Sequence, residues 1–244
     1  LHTNDVHSHI DPFPSGHYRF PNLGGVSRRA SLIESIRREN PNTLLLDAGD
    51  IFQGTPYFNF YGGELEFKLM SKMGYQAATL GNHDFDNGLN GLLAQLPNAE
   101  FSFLSANYDF TNTVLDGYIK PFEVYVIDGI RVGIFGLGIA LKGLVLEELY
   151  GETVYRDPVE IGQDMARTLR EEENCDLVIC LSHLGHAYSD PNRVSDRVLA
   201  AGTDQIDLII GGHTHTDPED RKSGRSQVEK KWGVHFVNVA ALSI

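Results

Sequence analysis

The chain has 244 residues, a length that suits one large domain or at most two small ones. Hydrophobic residues make up 41% and charged residues 22%, which is the balance of a globular protein rather than of a disordered one. With 20 Lys and Arg against 33 Asp and Glu, the net charge of −13 disfavours binding to a nucleic-acid polymer, whose phosphates would repel the chain. No apolar run approaches the roughly 20 residues that a membrane-spanning helix needs, so no membrane span is predicted.

The first half of the chain alternates predicted helices with predicted strands. Leu65, Leu69 and Met73 recur at the four-residue spacing of an apolar helix face, and Gly74 suits the C-terminal cap of that helix. In chain order the predicted elements are a helix from Val26 that Pro41 ends, a strand at 44–46, a helix over 65–73, a strand at 77–80, a helix over 89–96 and a strand at 101–104. This alternation predicts an α/β fold.

The second half adds antiparallel pairing to this pattern. Asp128 and Gly129 separate the apolar runs 122–127 and 130–135, and this dipeptide is a strong hairpin signal. The remaining predicted elements are a helix after Pro158, strands at 177–181, 206–210 and 234–239, and a charged surface loop at 217–231. The chain is therefore predicted to have a mixed sheet, or two sheets packed together.

Short polar sequence motifs follow the predicted strands. In open α/β sheets the carboxyl ends of the strands share one edge, where ligands bind, so motifs from distant parts of the chain are predicted to converge there. One of them follows a strand stub at the start of the chain. The candidate metal-binding residues in these motifs are Asp5, His7, Asp50, Asn82, His183, His213 and His215.

These side chains offer nitrogen and oxygen donors and no thiolate, which suits Zn, Mn, Fe or Co. The two cysteines, Cys175 and Cys180, lie elsewhere, too close around one strand to form a disulfide framework. Seven donors exceed the four of a structural zinc, whereas two metals that share one carboxylate would use them all, as in phosphate-ester hydrolysis. Taken singly, each motif can be explained without a metal: as a chance Asp-x-His match, as two exposed histidines, or as turn glycines at Gly81 and Gly212.

Together the motifs resemble those of the calcineurin-like metallophosphoesterase superfamily, and more closely those of the N-terminal metallophosphatase domain in its 5′-nucleotidase branch. The phrases that carry the resemblance are LHTNDVHSHI from Leu1, LLLDAGDIFQGTP from Leu44, ATLGNHDFDNG from Ala78, SHLGH from Ser182 and GGHTHT from Gly211. Their order and spacing cover nearly the whole chain. The resemblance implies an α/β fold, a four-layer α-β-β-α sandwich with two mixed β-sheets.

The resemblance also implies roles for the matched residues. One metal would be held by Asp5, His7, Asp50 and His215, and the second by Asp50, Asn82, His183 and His213, with Asp50 bridging. We hypothesise that His83, paired with Asp86, stands beside the metals as the proton donor to the leaving group, while a metal-activated hydroxide attacks phosphorus in line. The position of His215 is a Gln in some relatives, so the identity of the first metal stays open. His9 and His186 are left between a supporting contact to the ligands and a plain structural role.

The implied substrate is a small phosphate ester, most simply a nucleotide phosphomonoester. A phosphodiesterase that acts on cyclic nucleotides or other diesters is an alternative on the same metal centre. A second alternative is a non-catalytic metal-binding half that needs a missing domain, although a proton-donor pair at His83 and Asp86 would have no use there. Two aromatic segments, 13–20 and 52–61, could stack a nucleobase, but packing of loops is the simpler interpretation.

Relatives of this branch carry a C-terminal domain that stacks the base. We therefore expect residues 1–244 to form a single metallophosphoesterase domain, trimmed at the N-terminus and lacking that nucleotide-binding domain. Relatives are often periplasmic, secreted or surface-attached, whereas the residues themselves indicate no compartment.

Overall fold

The computed structural model describes residues 1–190, 193–216, 228–231 and 234–237, the last two ranges by their backbone only. Within these residues the α-helices are α1 (Val26–Glu39), α2 (Pro56–Tyr61), α3 (Glu64–Met73), α4 (Gly88–Gln95), α5 (Glu147–Tyr150), α6 (Pro158–Arg167) and α7 (Asp196–Gly202). The strands are β1 (His2–Thr3), β2 (Leu46–Asp47), β3 (Ala77–Thr79), β4 (Ser102–Leu104), β5 (Tyr108–Asp109), β6 (Phe122–Ile127), β7 (Ile130–Gly138), β8 (Val154–Tyr155), β9 (Leu177–His183), β10 (Leu208–Gly211), β11 (Val228–Lys231) and β12 (Val234–Val237).

Two β-sheets form the centre of the fold. The four-stranded sheet has the order β1-β2-β3-β4, and all of its neighbouring strands are parallel. The six-stranded sheet has the order β11-β12-β10-β9-β7-β6, with four parallel strands in the middle and an antiparallel strand at each edge. Among the described strands, mixed pairing is therefore a property of the six-stranded sheet.

Buried apolar side chains join these sheets and their helices into layers. Helices α1, α3 and α4 pack on the outer face of the four-stranded sheet, and α6 and α7 on the outer face of the six-stranded sheet. Between the sheets, Leu46 and Ala77 of the first pack with Ile134 and Leu181 of the second. The order helix, sheet, sheet, helix is the four-layer sandwich that the resemblance implies, and that prediction is confirmed.

Local signals in the sequence explain where several elements begin and end. Gly74 adopts a left-handed φ of 72° and caps α3, as predicted. Asp157 begins α6 because its side chain accepts hydrogen bonds from two backbone N–H groups of the first turn. Asp128 and Gly129 have φ values of 51° and 82°, the left-handed pair that a tight hairpin between β6 and β7 requires.

The structure corrects the sequence prediction at one place and adds to it at others. The predicted charged loop at 217–231 ends in a strand, β11, which pairs with β12; residues 217–227 and 238–239 of the predicted elements lie outside the described residues. A charged edge strand carries no apolar alternation, which is why the pattern did not reveal it. Helices α2, α5 and α7 and strands β5 and β8 are also absent from the prediction, since each is too short to show an apolar period.

Two further features concern the cysteines and the helices of the described residues. Cys175 and Cys180 are both buried and unbridged there. None of the helices in those residues combines the length and the apolar character that crossing a bilayer would need.

The two sheets come very close together at Gly136 on β7. A Cβ atom at this position would overlap the backbone carbonyl of Leu104 on β4 and lie 2.6 Å from the hydroxyl of Thr79. Both carbonyls here are engaged, because Gly136 accepts a hydrogen bond from the N–H of Ala106 (2.8 Å) and Leu104 accepts one from the hydroxyl of Thr79 (2.9 Å). Glycine is therefore the residue that lets the inner faces meet.

Gly136→Ala should lower the free energy of unfolding by about 1–3 kcal/mol or more, because the added methyl group has to push two strands apart. Urea denaturation would measure the change. Gly16→Ala is the matched control, since a Cβ at Gly16 meets no atom within 4 Å, and its effect should stay within about 0.5 kcal/mol. Equal stabilities of the two variants would contradict the close approach of the sheets.

Candidate metal centre

The candidate metal-binding residues lie together at one edge of the sandwich, where strands of both sheets end. Asp5, Asp50 and Asn82 each follow a strand of the four-stranded sheet. His183 is the last residue of β9, and His213 follows β10, in the six-stranded sheet. The other two candidates belong to the same loops. Both sheets thus place candidate donors at one edge, where the polar motifs are predicted to converge.

One group of donors comprises Asp5, His7 and His215, whose ligand atoms lie within 4.8 Å of one another. The Nε2 atoms of His7 and His215 are 3.1 Å apart, and Nε2 of His215 is 3.3 Å from Oδ1 of Asp5. Oδ2 of Asp50 lies 3.9 Å from Nε2 of His7, so the Asp50 carboxylate also faces this group. Two imidazoles and a carboxylate at this spacing suit a divalent transition-metal ion.

The second group comprises Asp50, His183 and His213, again with ligand atoms within 4.8 Å of one another. Nε2 of His183 lies 3.1 Å from Oδ2 of Asp50, yet the two atoms make no well-aligned hydrogen bond. Oδ1 of Asn82 is buried and has no hydrogen-bond partner among the described residues. A buried amide oxygen without a donor costs free energy, and a bound cation would satisfy it. The residues present therefore fit a metal ion in this position.

Two of the histidines are oriented by backbone carbonyl groups. Nδ1 of His7 lies 3.2 Å from the carbonyl oxygen of Phe52, and Nδ1 of His183 lies 2.7 Å from that of Ala48. Each contact favours a proton on Nδ1, so that Nε2 is the ring nitrogen that faces the other candidate ligands. This is the usual way in which outer hydrogen bonds fix a metal-binding imidazole.

The backbone that presents these donors is strained. Five of the seven candidates are non-glycine residues with positive φ, between 46° and 76°, a region that costs free energy for such residues. They are Asp5, His7, Asp50, His213 and His215. Strain of this kind persists only where the surrounding structure imposes it, and it concentrates at functional sites.

Charge is concentrated in a buried volume here, because Asp5 is 7% and Asp50 2% exposed. Burial favours the neutral ring of His183, but the adjacent Asp50 carboxylate overrides it and raises the pKa of His183 to about 10. Burial lowers the pKa of His213 to about 4. Although burial opposes it, the positive charge of His183 also holds the pKa of Asp50 below its usual range. The two carboxylates therefore attract positive charge to the position between the donor groups.

Two glycines let the loops come this close. A Cβ on Gly81 would overlap the Asp50 carboxylate, and one on Gly49 would lie 2.8 Å from Nδ1 of His183. Gly81 does not have a positive φ, so close approach to Asp50, rather than a left-handed turn, requires glycine there.

The predicted proton-donor pair stands at the rim of this site. Nδ1 of His83 lies 2.9 Å from Oδ2 of Asp86, and this hydrogen bond is the main cause that raises the pKa of His83. The centroid of the His83 ring is 5.3 Å from that of His7. The backbone N–H of His83 donates to Oδ1 of Asp50 (2.8 Å), which ties the pair to the carboxylate that faces both donor groups.

Sequence reasoning missed Asp84, which is fully buried beneath the site. Its Oδ1 accepts hydrogen bonds from the backbone N–H groups of Ile51 (2.9 Å) and Phe52 (3.2 Å). Its Oδ2 accepts hydrogen bonds from the N–H groups of Asp50 (3.0 Å) and Gly81 (2.8 Å). One carboxylate thus joins the loops after β2 and β3. Its place next to His83 was visible in the sequence, but its partners were not.

The aromatic segments divide between core and surface. Phe52 and Phe58 are buried in the core beside the four-stranded sheet, so packing is the correct interpretation for these two. Tyr18 and Phe60 are exposed, at 90% and 81%.

The contacts of His9 and His186 differ. The His9 ring packs on Phe13 with centroids 5.3 Å apart, and the backbone N–H of His186 donates to Oγ1 of Thr214, between two candidate ligands.

Residues 1–217 match the calcineurin-like phosphoesterase family, and the chain belongs to that family. It is 37% identical over 223 residues to a snake venom 5′-nucleotidase of Crotalus adamanteus, an alignment that covers 88% of this chain and 36% of the venom protein. It is 34% identical over 249 residues to the trifunctional nucleotide phosphoesterase protein YfkN of Bacillus subtilis, with 88% of this chain and 16% of that protein covered.

Solved structures support the same relationship. A 5′-nucleotidase precursor from Thermus thermophilus superposes with a TM-score of 0.83 at 33% identity, over 98% of this chain and 48% of that one. The NAD nucleotidase of Haemophilus influenzae superposes with a TM-score of 0.78 at 30% identity, over 91% of this chain and 39% of that one. The chain therefore spans less than half the length of the relatives it matches here.

Asp84→Asn should weaken Mn²⁺ binding about 10- to 100-fold and lower the free energy of unfolding by about 1–3 kcal/mol. The new amide group would turn its NH₂ toward backbone N–H groups that now donate to a carboxylate oxygen. Calorimetric titration with Mn²⁺ and urea denaturation would measure the two effects. Asp116→Asn, at an exposed position, is the control. A folded Asp84→Asn protein with unchanged Mn²⁺ affinity would show that Asp84 does not position the Asp50 loop.

Proposed function

We propose that this chain hydrolyses nucleotide phosphomonoesters at a centre of two divalent metal ions. The observation that carries the proposal is the Asp50 carboxylate, which lies 3.9 Å from His7 of one donor group and 3.1 Å from His183 of the other. Paired metals that share a carboxylate are the usual device for hydrolysing phosphate esters. The names of the relatives, 5′-nucleotidases and nucleotide phosphoesterases, support a nucleotide as the substrate.

Asp5, His7, Asp50 and His215 would hold one ion, and Asp50, Asn82, His183 and His213 the other. When bound, two such ions activate a water molecule near neutral pH and neutralise the charge that develops on the phosphoryl oxygens. The donor set favours Mn, Zn, Fe or Co over softer metals, because it combines imidazole with carboxylate and amide oxygen.

His83 would supply the proton that the departing alkoxide needs. Its pKa is raised by the hydrogen bond to Asp86, so a larger fraction of the ring carries a proton near neutral pH. Asp86 acts as the partner that orients the ring, at 2.9 Å from Nδ1. A non-catalytic metal-binding half would have no use for this pair. We further propose that residues 1–244 act as one metallophosphoesterase domain.

The first test is metal content by elemental analysis, combined with hydrolysis of a nucleoside 5′-monophosphate and of bis(p-nitrophenyl) phosphate in the presence of Mn²⁺. We expect close to two ions per chain and faster hydrolysis of the monoester. Removal of the ions with a chelator should abolish turnover and lower the melting temperature, because the ions bind the folded state. Faster hydrolysis of the diester would favour the phosphodiesterase instead. Two bound ions without any turnover would favour a non-catalytic half.

A second test replaces the proton donor. His83→Gln should lower kcat for a nucleoside 5′-monophosphate about 10²- to 10⁴-fold while leaving the metal content unchanged. The loss should be much smaller with p-nitrophenyl phosphate, whose leaving oxygen needs no proton. Asp86→Asn should act in the same direction with a smaller loss.

His17→Gln, in a loop outside both donor groups, is the matched control for replacing a histidine and should leave kcat unchanged. Equal losses of His83→Gln with the two leaving groups would contradict proton donation by His83. Loss of metal together with activity would instead make His83 part of the metal-binding set.

A further inference from the structure

A cationic side chain packs on a tyrosine close to the loop that carries His213 and His215, and it takes no part in the function proposed above. The guanidinium carbon of Arg193 is 3.8 Å from the centroid of the Tyr188 ring, and Arg193 is exposed to solvent. The Tyr188 hydroxyl donates a hydrogen bond to the carbonyl oxygen of Leu184 (2.6 Å), which fixes the ring under the guanidinium group. Stacking on a fixed ring holds the planar guanidinium group in one orientation.

This pair adjoins the loop that carries two candidate ligands. Gly185 has a φ of 86°, and a Cβ on it would overlap the Tyr188 hydroxyl and lie 2.7 Å from the Thr214 methyl group. Thr214 stands between His213 and His215 in the sequence, so Gly185 brings Tyr188 close to the loop that carries these two candidate ligands.

The charge of Arg193 is not neutralised by an ion pair within the part of the chain that the structure describes. The salt bridges formed there by arginines engage other residues, such as Arg167 with Asp164 at 2.7 Å on the outer helix α6. In a chain with a net charge of −13, such a guanidinium group beside the reaction centre stands out as a site for an anion.

We propose that Arg193 binds the phosphate group of the substrate and favours monoesters over diesters. A phosphomonoester carries close to two negative charges and three terminal oxygens, whereas a diester has one charge and two such oxygens. A guanidinium contact therefore gains more from the monoester. The inference rests on the proposed function, since it names the ester class that the same centre selects.

The experiment compares Arg193→Ala with Arg193→Lys and with Arg167→Ala, which removes one positive charge far out on α6. Binding of inorganic phosphate to each Mn²⁺-loaded protein is measured by calorimetry, and kcat/KM is measured for p-nitrophenyl phosphate and for bis(p-nitrophenyl) phosphate. Arg193→Ala should weaken phosphate binding about tenfold and lower kcat/KM for the monoester by a similar factor. The diester should lose less than about threefold, and metal content should not change. Arg193→Lys should fall between Arg193→Ala and the wild type, and Arg167→Ala should match the wild type.

Equal losses for the two esters, or unchanged phosphate binding in Arg193→Ala, would overturn the role of Arg193. The failure of the proposed function is a separate outcome, because it would appear in the wild type as no hydrolysis of either ester. The phosphate titration would still compare Arg193→Ala with the wild type in that case.

Discussion

The candidate metal centre confines two buried carboxylates at one point. Asp5 and Asp50 approach the same Nε2 atom of His183, at 3.9 and 3.1 Å, although repulsion between like charges in a buried site is costly. Backbone N–H groups offset part of this cost, since that of His213 donates to Asp5 (2.9 Å) and that of His83 to Asp50 (2.8 Å). Positive charge has to supply the remainder. An arrangement of this kind is more stable with cations bound than without them.

Several features of the fold serve this confinement. The two carboxylates belong to loops of the four-stranded sheet, while His183 and His213 come from the six-stranded sheet, so the sheets have to pack face to face for the site to exist. Positive φ values at the donor residues and glycine at Gly81 are local costs that the sandwich imposes. Asp84 offsets part of these costs, because its single buried carboxylate accepts hydrogen bonds from four backbone N–H groups in two loops.

The sequence predicts the donors better than it predicts what holds them. Five of the seven donors follow a strand that apolar residues mark, so the rule that ligands bind at the carboxyl ends of strands brings Asp50 and His183 to one edge without any coordinates. The resemblance adds roles, such as that of His83. Neither the strand-end rule nor the resemblance could reveal that Asp84 holds two loops together. Its hydrogen-bond partners in residues 50–52 lie more than 30 residues away and are backbone N–H groups rather than side chains. Strand β11 was missed for a related reason: edge strands are defined by their neighbour and not by their own apolar pattern.

The proposed recognition is directed to the phosphate end of the substrate. In the two proposals made above, Arg193 supplies charge and His83 a proton at that end, beside the two groups of candidate metal-binding side chains. In the aromatic segment that follows Asp50, Phe52 and Phe58 are buried in the core and cannot stack on a nucleobase. Charges fixed in a rigid sandwich can select the ester class without contacting the rest of the substrate. We therefore expect the choice between monoester and diester to be made within these residues, and the choice among nucleosides to depend on contacts made elsewhere.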